Sequence, residues 1–450
     1  MDADFRGLSV FAPESRVGAR RRHAVPRLAG AAAGLAAISV LTCGLLAACS
    51  AVPTPSGTRP IAACPSTTAT TGPSLPVVAE SAGPTPPASA VPSSSRAWSS
   101  LAWEEADQAP FSGPGNHLSF GGTGWIGGFV LVGEDYDSTS DTADGAVWSS
   151  TDGLHWQAIP NTGGTLSRSV ISAVVARGST LVAVGASRPE VQAPGTRPSG
   201  LFWTSSDGIN WHRETDTDSV ACQISPDGIV AGPGGFVAYG GDVTDGSQAI
   251  LYSADGVAWH RFDDTDGVFP GARVMSITAT GNGFAAVGYS ASHRVVPTGV
   301  FDPTPPPAAA WWSADGRSWH VSDVGSGGFE FGTVEPWLGG KLRALGAGAC
   351  GGCVGPPVVW ESSDGGRTWR QDPGAPSLSV TYGWSVVIGD RAVEMDQDMA
   401  ATWSTDGRSW HPLPMTGTTP PGQTYLLIAR GQTVIVTGQA DGRVYVGTFR

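Results

Sequence analysis

A short pattern of an aromatic residue, Ser, Asp, Gly and Trp recurs six times between residues 148 and 410, and it constrains the fold more than any other feature of the chain. The shared residues are Ser150, Asp152, Gly153, Trp156; Ser205, Asp207, Gly208, Trp211; Ser253, Asp255, Gly256, Trp259; Ser313, Asp315, Gly316, Trp319; Ser362, Asp364, Gly366, Trp369; and Ser404, Asp406, Gly407, Trp410. The Asp residues lie 42 to 60 residues apart. A repeat of this length is one small unit that cannot bury its own apolar face. The sequence therefore predicts a stacked or circular array.

Each copy predicts a β-hairpin, in which an aromatic strand runs into an Asp-Gly turn and a second strand carries the Trp. Glycine takes a positive φ in such a turn without a steric penalty. The Ser and Asp oxygens can accept hydrogen bonds from backbone N–H groups of the turn. Further strands are predicted between the copies, for example at 180–185, 234–240 and 283–288. The chain thus reads as all-β, built from four-stranded antiparallel units.

With these residues in view, the chain resembles the Asp-box family, also called bacterial neuraminidase repeats, whose pattern is Ser-x-Asp-x-Gly-x-Thr-Trp. The copy that ends at Trp369 matches in full, because it also carries Thr368, whereas the other five are one residue shorter and lack the Thr. The resemblance implies a β-propeller whose boxes lie on the outer hairpins, away from the ligand site. Four histidines follow a box Trp directly and are expected to be exposed outer-strand residues: His212, His260, His320 and His411.

The number of blades follows from the strands that remain outside the six copies. The tail adds three strands, at 425–429, 432–438 and 443–448, and lacks an outer strand. The segment 100–105 contains Trp103 and can supply that strand from the N-terminal side. This pairing would close the ring and remove exposed sheet edges. We predict seven blades closed by the N-terminal strand, with six blades as the alternative.

The N-terminal 97 residues predict export rather than fold. Residues 1–48 combine six arginines, all within the first 27 residues, with an apolar run from residue 28, as in a signal peptide. The run ends in Leu-Ala-Ala-Cys49, which resembles the lipobox of bacterial lipoproteins and implies lipidation of Cys49. An uncleaved membrane anchor is the alternative, since the run is long enough to span a bilayer. Residues 49–97 are rich in Pro, Ser and Thr and predict a disordered tether. Residues 98–450 would then form a propeller outside the cytoplasm, held at the cell membrane by lipid.

Net charge and cysteine usage limit the kinds of partner and of site that the chain can have. The net charge is −13, which disfavours nucleic acid and anionic membrane surfaces as partners and leaves the lipid as the membrane contact. A local disulfide between Cys350 and Cys353 is predicted, because a redox motif would need a different context and a metal site would need further ligands. A pairing of Cys64 with Cys222 stays open. We expect a monomer that requires no cofactor.

The predicted ligand face is the one opposite the six turns, where the longest irregular segments are expected: 134–145, 186–199, 289–309 and 346–357. Loops on a rigid scaffold are where binding residues concentrate. The candidate ligand-contacting residues are Asp135, Asp137, Arg188, Arg197, His293 and Arg294. The spaced acids from residue 134 to 144 could supply oxygens to Ca²⁺, but the segment lacks the central Gly and terminal Glu of an EF-hand loop, and a solvated acidic loop is the favoured interpretation.

Two functions from different classes fit this architecture. The first is a non-catalytic binding or assembly module for a glycan, a peptide or an envelope protein, and a purely structural envelope protein is a variant of it. The second is a divergent sialidase-like glycoside hydrolase or lyase, with two carboxylates about 5 to 9.5 Å apart near the axis. Its candidate acids are Glu335, Glu394, Asp396 and Asp398. Family sialidases use an arginine triad, a Tyr with a Glu and an Asp, and none of these can be placed here by motif, which favours the module.

Overall fold

The computed structural model describes residues 98–112, 116–137, 140, 142–188, 198–215, 220, 223–290, 307–325, 331–350, 353–375, 384–396, 399–420, 424–438 and 442–450. The predicted signal peptide, Cys49 and the tether lie outside these residues. So do Arg197, Cys222, His293, Arg294 and Asp398.

The described residues form 29 β-strands and three short 3₁₀ turns. The first fourteen strands are β1 Leu101–Glu105, β2 Asn116–Trp125, β3 Gly128–Asp137, β4 Thr142–Ser150, β5 Trp156–Ala158, β6 Ser169–Arg177, β7 Thr180–Ser187, β8 Gly200–Ser205, β9 His212–Arg213, β10 Ile224–Gly232, β11 Gly235–Asp242, β12 Gln248–Ser253, β13 His260–Arg261 and β14 Ala272–Thr280. The others are β15 Gly283–Ser290, β16 Ala308–Ser313, β17 His320–Val321, β18 Phe331–Pro336, β19 Leu342–Cys350, β20 Cys353–Ser362, β21 Arg370–Gln371, β22 Trp384–Ile388, β23 Arg391–Met395, β24 Ala401–Ser404, β25 His411–Leu413, β26 Met415–Gly417, β27 Thr424–Arg430, β28 Thr433–Gly438 and β29 Val444–Phe449. The 3₁₀ turns are Ala109–Phe111, Thr162–Gly164 and Leu338–Gly340.

These strands make seven antiparallel sheets, which are the blades of a β-propeller. Blades 1 to 6 each take four consecutive strands, from β2–β5 through to β22–β25. Blade 7 is built from both ends of the propeller: β27, β28 and β29 are completed by β1, which pairs antiparallel with β29 over Leu101–Glu105. The inner strand β2 contacts both β6 and β27, so the ring is closed. The prediction of seven blades closed by the N-terminal strand is confirmed.

Blade 7 also carries a strand that the sequence did not predict. Strand β26 pairs in parallel with β1 at the outer edge, where Leu101, Ala102 and Trp103 face Met415, Thr416 and Gly417. Three residues between Pro414 and Thr418 have no hydrophobic period from which a strand could be read. The result is a five-stranded sheet whose outer edge is covered by the chain leaving blade 6.

Successive strands of a blade reverse direction, and this gives the propeller two distinct faces. The connections between strands 1 and 2 and between strands 3 and 4 lie on one face, which includes the six Asp-Gly turns, and we call it the turn face. The connections between strands 2 and 3, and between blades, lie on the opposite face. Any ligand-contacting loop can therefore be assigned to a face from its place in the blade.

The connections predicted as irregular at 134–145 and 346–357 are largely strand instead, so that expectation was wrong. Strands β3 and β4 continue to Asp137 and begin again at Thr142, while β19 and β20 extend to Cys350 and from Cys353. Gly and acidic residues suggested loops, but long antiparallel hairpins pair their own backbone groups and tolerate polar side chains where one face is solvated. Of the other two segments, most residues lie outside the described ones.

The core is made of apolar layers between neighbouring blades. Side chains alternate along each strand, so the second strand of a blade sends every other residue towards the preceding blade and the rest towards the following one. In β7, Leu181 and Ala183 pack against Val130 and Val132 of blade 1, while Val182 and Val184 pack against blade 3. Within the described part of the chain, no helix is both long and apolar enough to cross a membrane.

Candidate functional site

The six Asp-Gly turns share one set of hydrogen bonds, although the turn residues around them differ. In every turn the Gly N–H donates to the Ser Oγ at 2.8 to 3.0 Å, and the Asp Oδ1 accepts two backbone N–H groups. In five turns the Trp Nε1 donates to the Gly carbonyl. These contacts lie within each turn, so the Ser, Asp, Gly and Trp residues hold the hairpins of the blades in shape.

Hydrogen bonding also explains the acidity of the turn carboxyls. Backbone and side-chain N–H groups of Asn210 donate to Asp207 and lower its pKa to about 2, against a small opposing effect of burial. At Asp152, burial opposes the shift, but hydrogen bonds from His155, Leu154 and Ser150 outweigh it and also lower the pKa to about 2. Carboxylates of this kind stay ionised and serve as acceptors in the turn.

On the opposite face the structure places three of the six predicted ligand-contacting residues. Arg188, half-exposed, donates Nη2 to Oε2 of the buried Glu134 at 2.8 Å and so links blade 2 to blade 1. Asp137 accepts a hydrogen bond from the Ser140 hydroxyl at 2.9 Å. Asp135 lies two residues earlier on β3 and is exposed. They occupy the same end of two adjacent blades. The remaining three candidates lie outside the described residues.

The predicted calcium site and the predicted disulfide stay predictions. Among the described residues no three His, Cys, Asp or Glu side chains come together, while Asp141 of the acidic hairpin is outside them. The backbone of the β19–β20 hairpin places Cys350 directly opposite Cys353.

Two of the acids considered for a hydrolase do meet, in the interface between blades 5 and 6. Glu335 on β18 and Glu394 on β23 both accept from Arg343 of β19, whose Nε and Nη1 lie 2.6 Å from the respective Oε1 atoms. Arg343 and Glu394 are buried, and Glu335 is about one-fifth exposed. The Ser385 hydroxyl donates to the other oxygen of Glu335, and the Arg343 guanidinium lies 3.4 Å from the centre of the Trp337 ring. We call these five residues the charged seam.

The charged seam lacks the properties of a hydrolytic pair. A general acid must hold a proton and a nucleophile must be able to approach the substrate, whereas here a guanidinium occupies the position between the two carboxylates. The third acid, Asp396, accepts the Ala400 N–H at 2.8 Å in the β23–β24 turn. These contacts give the three acids a structural role. The sequence alone does not predict this role, because no local pattern places Arg343 between Glu335 and Glu394.

A concave site does occur on the outer rim of the turn face, between blades 3 and 4. It is a cavity of about 360 Å³, lined by Tyr252, His260, Arg261, Phe262, Gly316 and Arg317, and we call it the rim recess. A second cavity of about 310 Å³ continues from it past Arg261 and Phe262 towards Asp263 and Asp264. This recess could not be predicted from the sequence, because its walls come from the outer strands of one blade and the Asp-Gly turn of the next.

No protein-family model matches the sequence, and no curated protein matches it. Solved structures of similar fold include Trypanosoma rangeli sialidase in complex with sialic acid (TM-score 0.38, 14% identity), YCF48 bound to D1 peptide (TM-score 0.48, 13% identity) and virginiamycin B lyase from Staphylococcus aureus (TM-score 0.45, 8% identity). The alignments cover 74%, 79% and 78% of this chain and 53%, 97% and 99% of the respective structures. The chain thus spans about half the length of the sialidase. These similarities concern the fold, and the three proteins differ in function.

Proposed function

We propose that the chain is an exported propeller, lipid-anchored through Cys49, that binds a glycan, a peptide or an envelope protein and performs no chemistry on it. The observation that supports this most is the engagement of Glu335 and Glu394 by Arg343 at 2.6 Å. Two of the four acids considered for the hydrolase alternative, Glu335 and Glu394, are thus engaged in holding blades 5 and 6 together. The Asp-box assignment of the turns belongs to the same proposal and rests on their shared hydrogen bonds.

Charged side chains on the opposite face support a ligand site there. Arg188 is half-exposed while it pairs with the buried Glu134, and Asp135 is exposed on strand β3 of the neighbouring blade. Binding residues concentrate on loops that a rigid scaffold positions.

The test is a binding screen with a turnover assay on the same samples. The full chain, purified in detergent, is screened against glycans and cell-wall fragments, and each hit is incubated and examined by mass spectrometry. We expect binding without any change in ligand mass. Arg188→Ala should weaken binding about tenfold or more, because a charged hydrogen bond contributes about 1.5 to 3 kcal/mol.

Arg408→Ala is the matched control, since Arg408 is a similarly exposed arginine that pairs with Asp372 on the turn face. Its binding should equal that of the unaltered chain. Cleavage of a ligand that is abolished by Glu394→Gln would overturn the proposal and establish the hydrolase. Equal loss from Arg188→Ala and Arg408→Ala would remove the opposite face as the site.

A further inference from the structure

The rim recess lies on the turn face, so what it binds is independent of the function proposed for the opposite face. Its walls are supplied by strands β12 and β13 of blade 3 and by the Asp-Gly turn of blade 4. Each of these elements is fixed by its own hydrogen bonds, including Gly316 N–H to Ser313 Oγ at 2.8 Å and the Tyr252–His260 pairing of β12 with β13. The recess is therefore formed before any ligand arrives.

Three cationic or protonatable side chains converge on it in a chain whose net charge is −13. His260 and Arg317 are exposed, and the Arg261 side chain is about one-third exposed. Arg261 is partly neutralised by Asp242, at 2.6 Å from Nη1. The more exposed Arg317 is thus the cation better placed to meet an anionic ligand, with the Asp315 carboxylate of its own turn within electrostatic reach.

Arg317 is held in a defined orientation. Its Cζ lies 4.5 Å from the centre of the Tyr252 ring, and its Nη2 donates to the Tyr252 hydroxyl at 3.2 Å. The hydroxyl in turn donates to the Gly234 carbonyl at 2.9 Å. A guanidinium held over an aromatic ring can offer its remaining N–H groups to an oxyanion, and its fixed position lowers the entropy cost of binding.

The next interface repeats the stacked arginine with a different aromatic partner and an additional ring contact. In blade 4 the equivalent aromatic residue is Trp312, and Arg367 of blade 5 stacks on it at 4.1 Å. There, however, His320 also lies on the Trp312 ring, with the centroids 4.5 Å apart. Between blades 3 and 4 a cavity remains beside the same kind of stacked arginine.

The two ends of the groove differ in charge, which limits how a ligand can lie in it. The continuation past Arg261 and Phe262 is lined by Asp263 and Asp264. The Asp264 carboxylate accepts hydrogen bonds from the N–H groups of Val268 and Phe269. An anionic group would be repelled from that end and attracted to Arg317, while an uncharged ring could rest against the partly buried Phe262.

From this geometry we propose that the rim recess binds a carboxylate carried on a ring-sized body, with the carboxylate on the edge of Arg317 and the body against Phe262. The cavity of about 360 Å³ accommodates one ring and its substituents, at the lower end of the range for small-molecule sites. Such a carboxylate can belong to an acidic saccharide, an aromatic acid or an acidic peptide side chain.

The experiment titrates three acids and their neutral counterparts into the full chain in detergent, with ligand-observed NMR as the readout. The pairs are glucuronate and glucose, benzoate and benzamide, and N-acetylglutamate α-amide and N-acetylglutaminamide. At least one acid should bind about tenfold more tightly than its neutral partner, and that pair identifies the source of the carboxylate. Arg317→Ala should abolish this preference.

Arg367→Ala is the matched control, because it removes the same cation–aromatic stack one interface away without touching the recess. It should leave the preference for the acid unchanged. Tyr252→Phe keeps the ring but removes the hydroxyl that orients Arg317. It should weaken the binding of the preferred acid about threefold or more. The proposal is overturned if no acid is preferred over its neutral partner, or if Arg317→Ala and Arg367→Ala behave alike with folding midpoints unchanged.

Discussion

Leu342 and Arg343 are consecutive residues of β19, yet they build two different kinds of blade interface. Leu342 points towards blade 4 and packs with Ala344 against Ala285 and Val287. Arg343 points towards blade 6 and meets Glu394. Strand alternation alone sends the two side chains to opposite sides of the blade. One strand thus joins an apolar interface on one side and a charged one on the other.

The position equivalent to Arg343 is apolar in the other six blades, so the charged seam replaces an apolar contact at this level of the strand. Towards the following blade, the second strands present Val130 and Val132, Val182 and Val184, Val237, Ala285 and Val287, Val393 and Met395, and Ile435. In blade 5 the same position holds Arg343, and Glu394 replaces the small apolar residue that faces it elsewhere. The apolar residues left at this interface form a small cluster around Trp337, Leu338 and Ala392.

The comparison shows what a propeller needs in order to accept charge between its blades. The Arg343 side chain is satisfied by two carboxylates and an aromatic face. Trp337 also lies beneath the next Asp-Gly turn, beside Gly407, where Val182 of blade 2 lies beside Gly256. One polar atom is left over: Trp410 Nε1 has no partner among the described residues, whereas the other turn tryptophans donate to their glycine carbonyl. The interface that contains the charged seam thus retains one buried donor without a hydrogen-bond partner among the described residues.

Removing Arg343 is the largest perturbation that this comparison predicts. In Arg343→Met, Glu394 stays buried without its cation, and breaking a buried pair on one side costs about 3 to 5 kcal/mol. We expect the urea midpoint from tryptophan fluorescence to fall accordingly. The loss should shrink as the pH is lowered from 7 towards 5, because an unpaired buried carboxyl can take up a proton.

The double variant Arg343→Met/Glu394→Leu separates the two causes. It removes the buried pair and places apolar side chains where the other blades have them, and the remaining Glu335 is about one-fifth exposed. The double variant should therefore regain most of the stability lost by Arg343→Met alone. If the double variant is as unstable as the single one, the seam contributes through shape rather than through charge pairing, and the contrast with the apolar interfaces disappears.

Leu342→Ala tests the apolar side of the same strand. Leu342 is 3% exposed, and truncating a buried leucine costs about 2 to 5 kcal/mol through lost burial and the cavity left behind. Unlike the loss in Arg343→Met, this loss should be the same at pH 7 and pH 5, since no titratable group lies in the cavity. A pH-dependent loss would show that the two interfaces are coupled through β19.

Much of this architecture could be predicted from the sequence. The features that could not be predicted share a physical cause. Local patterns fix local structure: the Asp-Gly turns set the hairpins, and the Trp103 segment completes blade 7, as expected. The exposed positions of His260 and His320 also follow from their place after a turn Trp. Contacts between blades join residues that are distant in the chain, such as Arg343 and Glu394, and no local pattern encodes them.

A signal for the charged seam was nevertheless present in the repeat. Aligning Leu342-Arg343-Ala344 of blade 5 with Phe284-Ala285-Ala286 of blade 4 places an arginine where a buried alanine stands. A buried arginine requires carboxylate partners, and the facing position of blade 6 is Glu394. The rim recess offers no comparable signal, because its volume depends on where the side chains of Tyr252, Phe262 and Arg317 lie in three dimensions.

The smallest expected effect concerns the Asp-Gly turns, whose exposed carboxylates contrast with the buried carboxylates of the seam. Asp207→Ala removes the acceptor for the Ile209 and Asn210 N–H groups, and the loss of a comparable helix cap costs about 1 kcal/mol. The folded-state pKa of Asp207 is lowered from 3.8 to about 2, so its contribution is fully present above pH 4 and is lost as the pH falls towards 2. The difference in urea midpoint between Asp207→Ala and the unaltered chain should therefore vanish over this range. The exposed Asp266→Ala is the control and should show no difference at any pH. If the difference persists at pH 2, the side chain acts by filling space in the turn, and the contrast between turn and seam carboxylates is not one of charge.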